Sequence, residues 1–193
     1  MNENSVPKKL PCRWEHEGYV LRSTRAEDVD AYWEAGFVHA DPEVDRLTAT
    51  RETFTEEQVK SFFLGCLPDP DRRDFLICAS DGRILGEAVI NEIDWFLRSA
   101  NFRIALFSTK SCSHGIGSWV VSCIRDYAFQ ELGLHRLSLD VLSCNPRAKH
   151  VYEKAGFEEE GVLRDAEWDG EGYCDDILMA ILEDEWRRLV QSR

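Results

Sequence analysis

Asn145-Pro146-Arg147-Ala148-Lys149-His150-Val151-Tyr152-Glu153-Lys154-Ala155-Gly156-Phe157 is the stretch that decides how this chain folds. Asn is a favoured helix N-cap because its side-chain oxygen accepts a backbone N–H that the first turn leaves without a partner. Pro146 sits where its missing N–H costs nothing, at the first helical position. Gly156, directly after Ala155, supplies the residue on which helices commonly stop. The spacing therefore predicts a helix opened by Asn145 and closed by Gly156, with a strand over residues 157–165. Upstream, Leu137, Leu139 and Val141 alternate with Ser138 and Asp140, the two-residue period of a strand.

Moving outward, Ile116, Val120, Cys123, Ile124, Tyr127 and Ala128 fall at helical spacing and predict a helix over Ile116–Gln130, closed by Gly133. Residues 74–79, 84–93 and 100–107 are strand-like, the first two joined by the two-residue turn Asp81-Gly82, and they predict an antiparallel meander. Nearer the start lies a short strand, Tyr19–Ser23. Thr24 with Glu27 forms a capping-box pattern before a helical run over residues 26–38, followed by a polar connection. Thr55 and Gln58 repeat the pattern before a helix over residues 55–64, whose apolar face is Val59, Phe62 and Phe63. Pro68-Asp69-Pro70-Asp71 breaks it. Downstream, residues 157–165 and Tyr173–Leu182 flank the turn Asp169-Gly170. Strand, helices, meander, helix, strand, helix and hairpin, in that order, make an α/β domain with a mixed sheet.

A length of 193 residues with 44% apolar side chains suits one domain with a sizeable core. There is no internal repeat or linker. Apolar runs are only a few residues long, so no membrane partner is expected. Seven cysteines, at positions 12, 66, 78, 112, 123, 144 and 174, are odd in number and show neither C-x-x-C pairing nor histidines at metal-ligand spacing. They read as reduced thiols in a cytoplasmic protein without a metal. Cysteines mostly serve as small buried hydrophobes, which argues against a Cys112–His114 nucleophilic pair. The net charge of −13 argues against nucleic acid. It suits a cationic acceptor better, with Glu158 to Glu160, Asp165, Glu167, Asp169, Glu171, Asp175 and Asp176 crowding the last third; a merely solvated acidic surface is the plainer reading.

Cys112-Ser113-His114-Gly115-Ile116-Gly117-Ser118 leads from strand to helix, and its glycines let consecutive N–H groups face a phosphate at the helix start. G-x-G alone is weak, and a strand-to-helix turn would explain it. A dinucleotide fingerprint fails because its third glycine would fall at Val120, in mid-chain after a meander. Glycine loop and Asn145-to-Phe157 stretch together, in this order and spacing, resemble the GNAT N-acetyltransferases from about Tyr19 to Leu182. Asp41-Pro42-Glu43-Val44, Arg98-Ser99-Ala100, Tyr127-Ala128-Phe129, Leu132-Gly133-Leu134-His135-Arg136 and Glu160-Gly161 resemble the branch of ribosomal-protein N-terminal and spermidine acetyltransferases.

The resemblance implies a GNAT-like acyltransferase fold, with a mostly antiparallel sheet of six to seven strands flanked by helices. It divides the chain into an N-terminal extension, residues 1–17, that need not be ordered, and a single domain, residues 18–193. It implies acetyl-CoA as co-substrate and no metal. The pyrophosphate would lie on the backbone of Ser113, His114, Gly115, Ile116, Gly117 and Ser118. The pantetheine arm would pair like an added strand with Leu106, Phe107 and Ser108. Asn145 would bind that arm or only cap its helix, with Ala148 as the small residue beside it. Where the family commonly has Gln or Arg, this chain has Cys112, and where it has a positive residue, His114; Lys110, His114 or Lys149 would have to compensate.

Attack of an amine on the thioester releases a thiolate, and a phenol with an ordinary pKa of about 10 can protonate it. A Tyr on a helix ordinarily packs; the spacing to Asn145 and the glycine loop singles out Tyr152. The amine must be neutral. An α-amino group of pKa about 8 is roughly a tenth neutral at pH 7, whereas an alkylamine near 10.4 is neutral in less than about one part in a thousand. Asp140 and Glu92 are the candidate bases. The expected acceptor is a protein or peptide N-terminal amine, with a polyamine or another small amine as the alternative. A non-catalytic acyl-CoA-binding module is the reading from a different class. An exposed strand edge would support a homodimer.

Overall fold

The meander and the C-terminal hairpin are two halves of a single sheet. In the computed structural model, which describes residues 9–112 and 115–191, the strands are β1 (Arg13–His16), β2 (Tyr19–Ser23), β3 (Arg73–Ala79), β4 (Ile84–Asp94), β5 (Ser99–Leu106), β6 (Arg136–Leu142), β7 (Glu158–Trp168) and β8 (Tyr173–Leu182). They lie in the order β1-β2-β3-β4-β5-β6-β8-β7. Every neighbouring pair is antiparallel except β5 and β6. The helices are α1 (Val29–Gly36), α2 (Pro42–Leu47), α3 (Glu56–Cys66), α4 (Ile116–Gln130), α5 (Pro146–Lys154) and α6 (Glu183–Gln191). The sheet has eight strands where the resemblance implied six to seven.

The run Phe75-Leu76-Ile77-Cys78 is apolar at every position because β3 is covered on both faces. Phe75 and Ile77 join the larger core with Ile90, Phe102, Val120, Ile124, Leu137 and Ile181. Leu76 and Cys78 face the other way, onto Tyr32 of α1 and Val59 and Phe63 of α3. Side chains alternate across a strand, so one run serves two helical layers. Gly86 lets β4 approach β5: a Cβ there would stand 2.2 Å from the Ala105 carbonyl oxygen. At the end of the chain, Trp186 of α6 stacks on Phe129 at 5.3 Å between ring centroids, and its Nε1 donates to Asp126 Oδ1 at 2.9 Å.

Four elements differ from the sequence reading. Part of the expected N-terminal extension is β1, which pairs with β2 from Arg13↔Arg22 to His16↔Tyr19 and is the added strand. The polar connection after α1 contains α2, capped by Asp41, whose Oδ1 accepts from the Glu43 N–H at 3.1 Å, with Pro42 in the first turn. Residues beyond Leu182 form α6. Thr24 and Glu27 do not form the first capping box: Arg25 caps a 3-10 turn over Ala26–Asp28, and Asp28 accepts from the Arg25 N–H at 2.8 Å. Asp28 wins because Arg22 holds its carboxylate from the other side at 2.6 Å, while the Thr24 hydroxyl donates to the Asp74 carbonyl. The second box is as expected, with Gln58 N–H donating to Thr55 Oγ1 at 3.3 Å and Thr55 N–H to Gln58 Oε1 at 2.8 Å.

Candidate active site

The parallel pair β5 and β6 is where the sheet opens. Their register runs only through Ser99↔Arg136, Ala100↔Leu137 and Asn101↔Ser138. Beyond that, β5 continues along β4 to Leu106, and β6 continues along β8 to Leu142. Two strands with different outer partners diverge, and a wedge-shaped opening remains between them. The Phe107 N–H is spent on Leu85 O at 2.8 Å, so by strand alternation the Leu106 peptide group faces the wedge, where it is free to pair with an extended ligand.

The α4 helix begins at one side of this opening. Gly115 is its N-cap, at φ +78°, and no side chain caps it. Only glycine takes that left-handed conformation without strain. The N–H groups of Ile116, Gly117 and Ser118 precede the first intrahelical bond, from Trp119 N–H to Gly115 O at 3.1 Å. A Cβ built on Gly117 would meet nothing within 4 Å, so the approach to these donors is open. Ser113 and His114, also expected here, lie outside the described residues. Asp41 Oδ2 accepts from the Thr109 N–H and hydroxyl, each at 2.8 Å, and so ties α2 to the turn between β5 and the glycine loop.

On α5, Asn145 Oδ1 accepts from the Ala148 N–H at 3.1 Å. The residue is therefore a cap; its Nδ2 has no protein partner among the described residues and remains available as a donor. Tyr152 is buried, with its ring edge-on to Phe102 at 6.5 Å and to Phe157 at 6.0 Å. Phe102 is the first β5 residue beyond the parallel register, which places the Tyr152 ring at the root of the wedge. Its phenol makes no hydrogen bond to the protein among the described residues. Burial first, and then the charge of Asp140, hold the phenol well above its usual pKa, so Tyr152 keeps its proton at neutral pH.

Asp140 thus lies near Tyr152, and Glu92 does not join it. Glu92 occupies a bulge in β4, at φ +54°, between the pairs Asn91↔Asn101 and Asp94↔Ser99, toward the closed end of the wedge. Its carboxylate is exposed and within 3.4 Å of Asn91 Nδ2. Lys149 is committed elsewhere: its ammonium pairs with Glu159 at 3.0 Å and Glu153 at 3.2 Å. Lys110 is exposed in the 3-10 turn Thr109–Ser111.

A second carboxylate accompanies Asp140. The register Asp140↔Leu178 and Leu142↔Asp176 puts Asp140 and Asp176 diagonally across one face of β6 and β8. Asp176 Oδ1 is shut off from solvent and accepts no hydrogen bond. Burial, Asp140 and Glu167, in that order, raise the Asp176 carboxyl above its ordinary value. Composition had flagged Asp176 only as one acid in a crowd; the cross-strand register, which periodicity does not encode, selects it.

The protein-family comparison matches residues 19–158 to the "Acetyltransferase (GNAT) domain". The chain belongs to the GNAT acetyltransferase family. It is similar to the spermidine N(1)-acetyltransferase of Vibrio cholerae serotype O1, 28% identical over 130 residues that cover 67% of this chain and 75% of the relative. It is also similar to the ribosomal N-acetyltransferase-like protein YdaF of Bacillus subtilis, 30% identical over 108 residues, 55% of this chain and 57% of the relative. Among solved structures, the spermidine N-acetyltransferase of Vibrio cholerae in complex with CoA and spermine superposes with a TM-score of 0.78 at 24% identity, covering 89% of this chain and 99% of that one. The GNAT chain is accordingly an acetyl-CoA-dependent N-acetyltransferase. Among the described residues, no helix is long and apolar enough to cross a membrane.

Proposed function

We propose that this GNAT enzyme acetylates a linear polyamine of the spermidine type. The observation that carries the reading is the pair Asp140 and Asp176, diagonal neighbours on one face of β6 and β8, with Glu167 acting on Asp176 and Asp140 on the Tyr152 phenol. An N-terminal amine is one cation on a neutral chain, whereas a polyamine presents several, and a row of carboxylates with an unpartnered oxygen suits the latter. The spermidine acetyltransferase relatives support this acceptor better than the N-terminal amine that the sequence alone favoured.

In this reading the α4 N–H groups and Gly115 receive the pyrophosphate, Leu106 pairs with the pantetheine arm, and Asn145 Nδ2 donates to it. Asp140 and Asp176 hold the ammonium at the wedge and take its proton, which an alkylamine gives up reluctantly at neutral pH. The freed amine attacks the thioester carbonyl, the carbon–sulfur bond breaks, and the Tyr152 hydroxyl protonates the departing thiolate.

Thiol release from acetyl-CoA, measured against spermidine, spermine, peptides with free N-termini and aminoglycosides, tests it. Spermidine should give the highest kcat/KM, and Tyr152→Phe should lower kcat about 10²- to 10⁴-fold with unchanged acetyl-CoA binding. A higher kcat/KM with the peptides would overturn the acceptor, and an unimpaired Tyr152→Phe enzyme would overturn the acid.

A further inference from the structure

No pair of cysteines stands at metal-binding spacing in the sequence, yet the fold brings two together. The register of β6 with β8 ends at Leu142↔Asp176, and Ser143 continues it: its N–H donates to Asp175 O at 2.9 Å, and its hydroxyl accepts from the Asp175 N–H at 3.0 Å. One further step sets Cys144 opposite Cys174. The turn between β7 and β8 folds back over them and delivers Asp169. One ligand atom from each of Cys144, Cys174 and Asp169 lies within 4.8 Å of the other two.

We propose that Cys144, Cys174 and Asp169 form a binding site for a borderline-soft divalent cation, zinc above all, placed beside the acetyl-transfer site and outside its chemistry. Two sulfurs and a carboxylate oxygen are a donor set that zinc takes, with a fourth position left for water. Zinc–sulfur bonds of about 2.3 Å require sulfurs about 3.8 Å apart in a tetrahedron, so the cluster has to contract by about 1 Å at most. Asp169 is held ready for this. Its Oδ1 accepts from the Glu171 and Gly172 N–H groups at 2.9 and 2.8 Å, and its Oδ2 from Arg46 at 2.7 Å. Those backbone donors and Arg46 hold the carboxylate in place beside the two sulfurs.

A bound ion would displace the thiol protons of Cys144 and Cys174. Zinc with two thiolates and one carboxylate carries a net charge of −1, and the Arg46 guanidinium behind Asp169 offsets it, as an outer-shell partner that also orients the ligand. Cys144 immediately precedes Asn145, so the ion would fasten the start of α5 to the β7–β8 turn.

Titration of the fully reduced protein with Co²⁺ and then Zn²⁺ decides this. One equivalent of Co²⁺ should produce a thiolate-to-cobalt charge-transfer band with the visible bands of a four-coordinate site, and Zn²⁺ should abolish both. Two protons leave per ion, so apparent affinity should rise about a hundredfold per pH unit below the thiol pKa values. Cys174→Ser and Cys144→Ser should each remove the band, whereas Cys123→Ser, on α4, should keep it. Zinc should raise Tm in the wild type and not in Cys174→Ser. Absence of a thiolate band overturns the proposal, as does a band that survives Cys174→Ser. So does a Cys144–Cys174 disulfide in protein purified without reductant, if the reduced form then binds no ion.

Discussion

Replacing Asp176 by Asn should make this protein more stable and a worse enzyme. Burial and two neighbouring carboxylates hold the Asp176 carboxyl above its ordinary value of 3.8. A group with a raised folded pKa contributes stability that is complete below its unfolded pKa and is lost as pH rises through the folded one. Once pH exceeds the folded pKa, the wild type carries an ionised oxygen with no donor. An unsatisfied buried acceptor costs about 1–3 kcal/mol, and partial exposure of the residue puts Asp176 near the low end. Asparagine removes the charge and offers an N–H to Asp140, so a gain of about 1 kcal/mol, or roughly 2–4 °C in Tm for a chain of this size, is expected at pH 7. The gain should vanish below about pH 3.8, where the wild type is protonated too. If the polyamine reading holds, the lost charge-assisted contact of about 1.5 kcal/mol lowers kcat/KM for spermidine about tenfold. Thermal melts at two pH values and thiol-release kinetics on one preparation are sufficient. A lower Tm at pH 7 would refute the reading of Asp176 as strained, and unchanged kcat/KM would refute its place at the acceptor.

Two further expectations follow from other parts of the molecule. Arg125 is wholly buried, donating to Ala155 O at 2.7 Å and pairing with Asp126 at 2.6 Å. Arg125→Met strands that carbonyl and loosens the α5 terminus from α4, so a loss of about 3 kcal/mol is expected, roughly 6–12 °C in Tm by calorimetry; a fall under about 2 °C would sink it. Ionic strength should act in opposite directions on the two substrates: KM for spermidine should rise with salt, while KM for acetyl-CoA should stay level or fall, because the net charge of −13 attracts one and repels the other. Parallel slopes in initial-rate kinetics would contradict this.

The elements legible in the sequence were those whose periodicity is both long and asymmetric. The helix Ile116–Gln130 and the strand Tyr173–Leu182 have the bounds that their apolar spacing predicts. The short α2 buries no residue at all, so no apolar stripe announces it; only Asp41-Pro42 marks its start. In β1, Arg-Trp-Glu-His offers one half-buried aromatic among exposed residues, and that Trp14 is placed by Tyr127 and Phe75, both more than sixty residues away. The site divides in the same way. Asn145 and Tyr152 could be proposed from the sequence because a helix's own spacing relates them. Lys149, expected to compensate at the phosphates, is paired with Glu159, a partner that arrives from the next strand. Asp176 and the cysteine pair depend on cross-strand register, which no local pattern records.

If the proposed acceptor is right, the enzyme has to bring a polyanion and a polycation within bonding distance, and the chain would meet the two demands with different physics. Fixed carboxylates on β6 and β8 attract the cation, and their field extends about a Debye length into solvent. Fixed cations at the phosphate site would partly cancel that field. On α4 the donors described are peptide N–H groups, with Lys110 exposed nearby and Lys149 already neutralised by Glu153 and Glu159. Peptide dipoles act within the first helical turn and decay quickly beyond it, so they can hold phosphates without weakening the pull on the amine. On the same reading, Cys112 in place of a family Arg or Gln fits this arrangement: a guanidinium there would strengthen the grip on CoA at the expense of a long-range field that attracts a cationic acceptor.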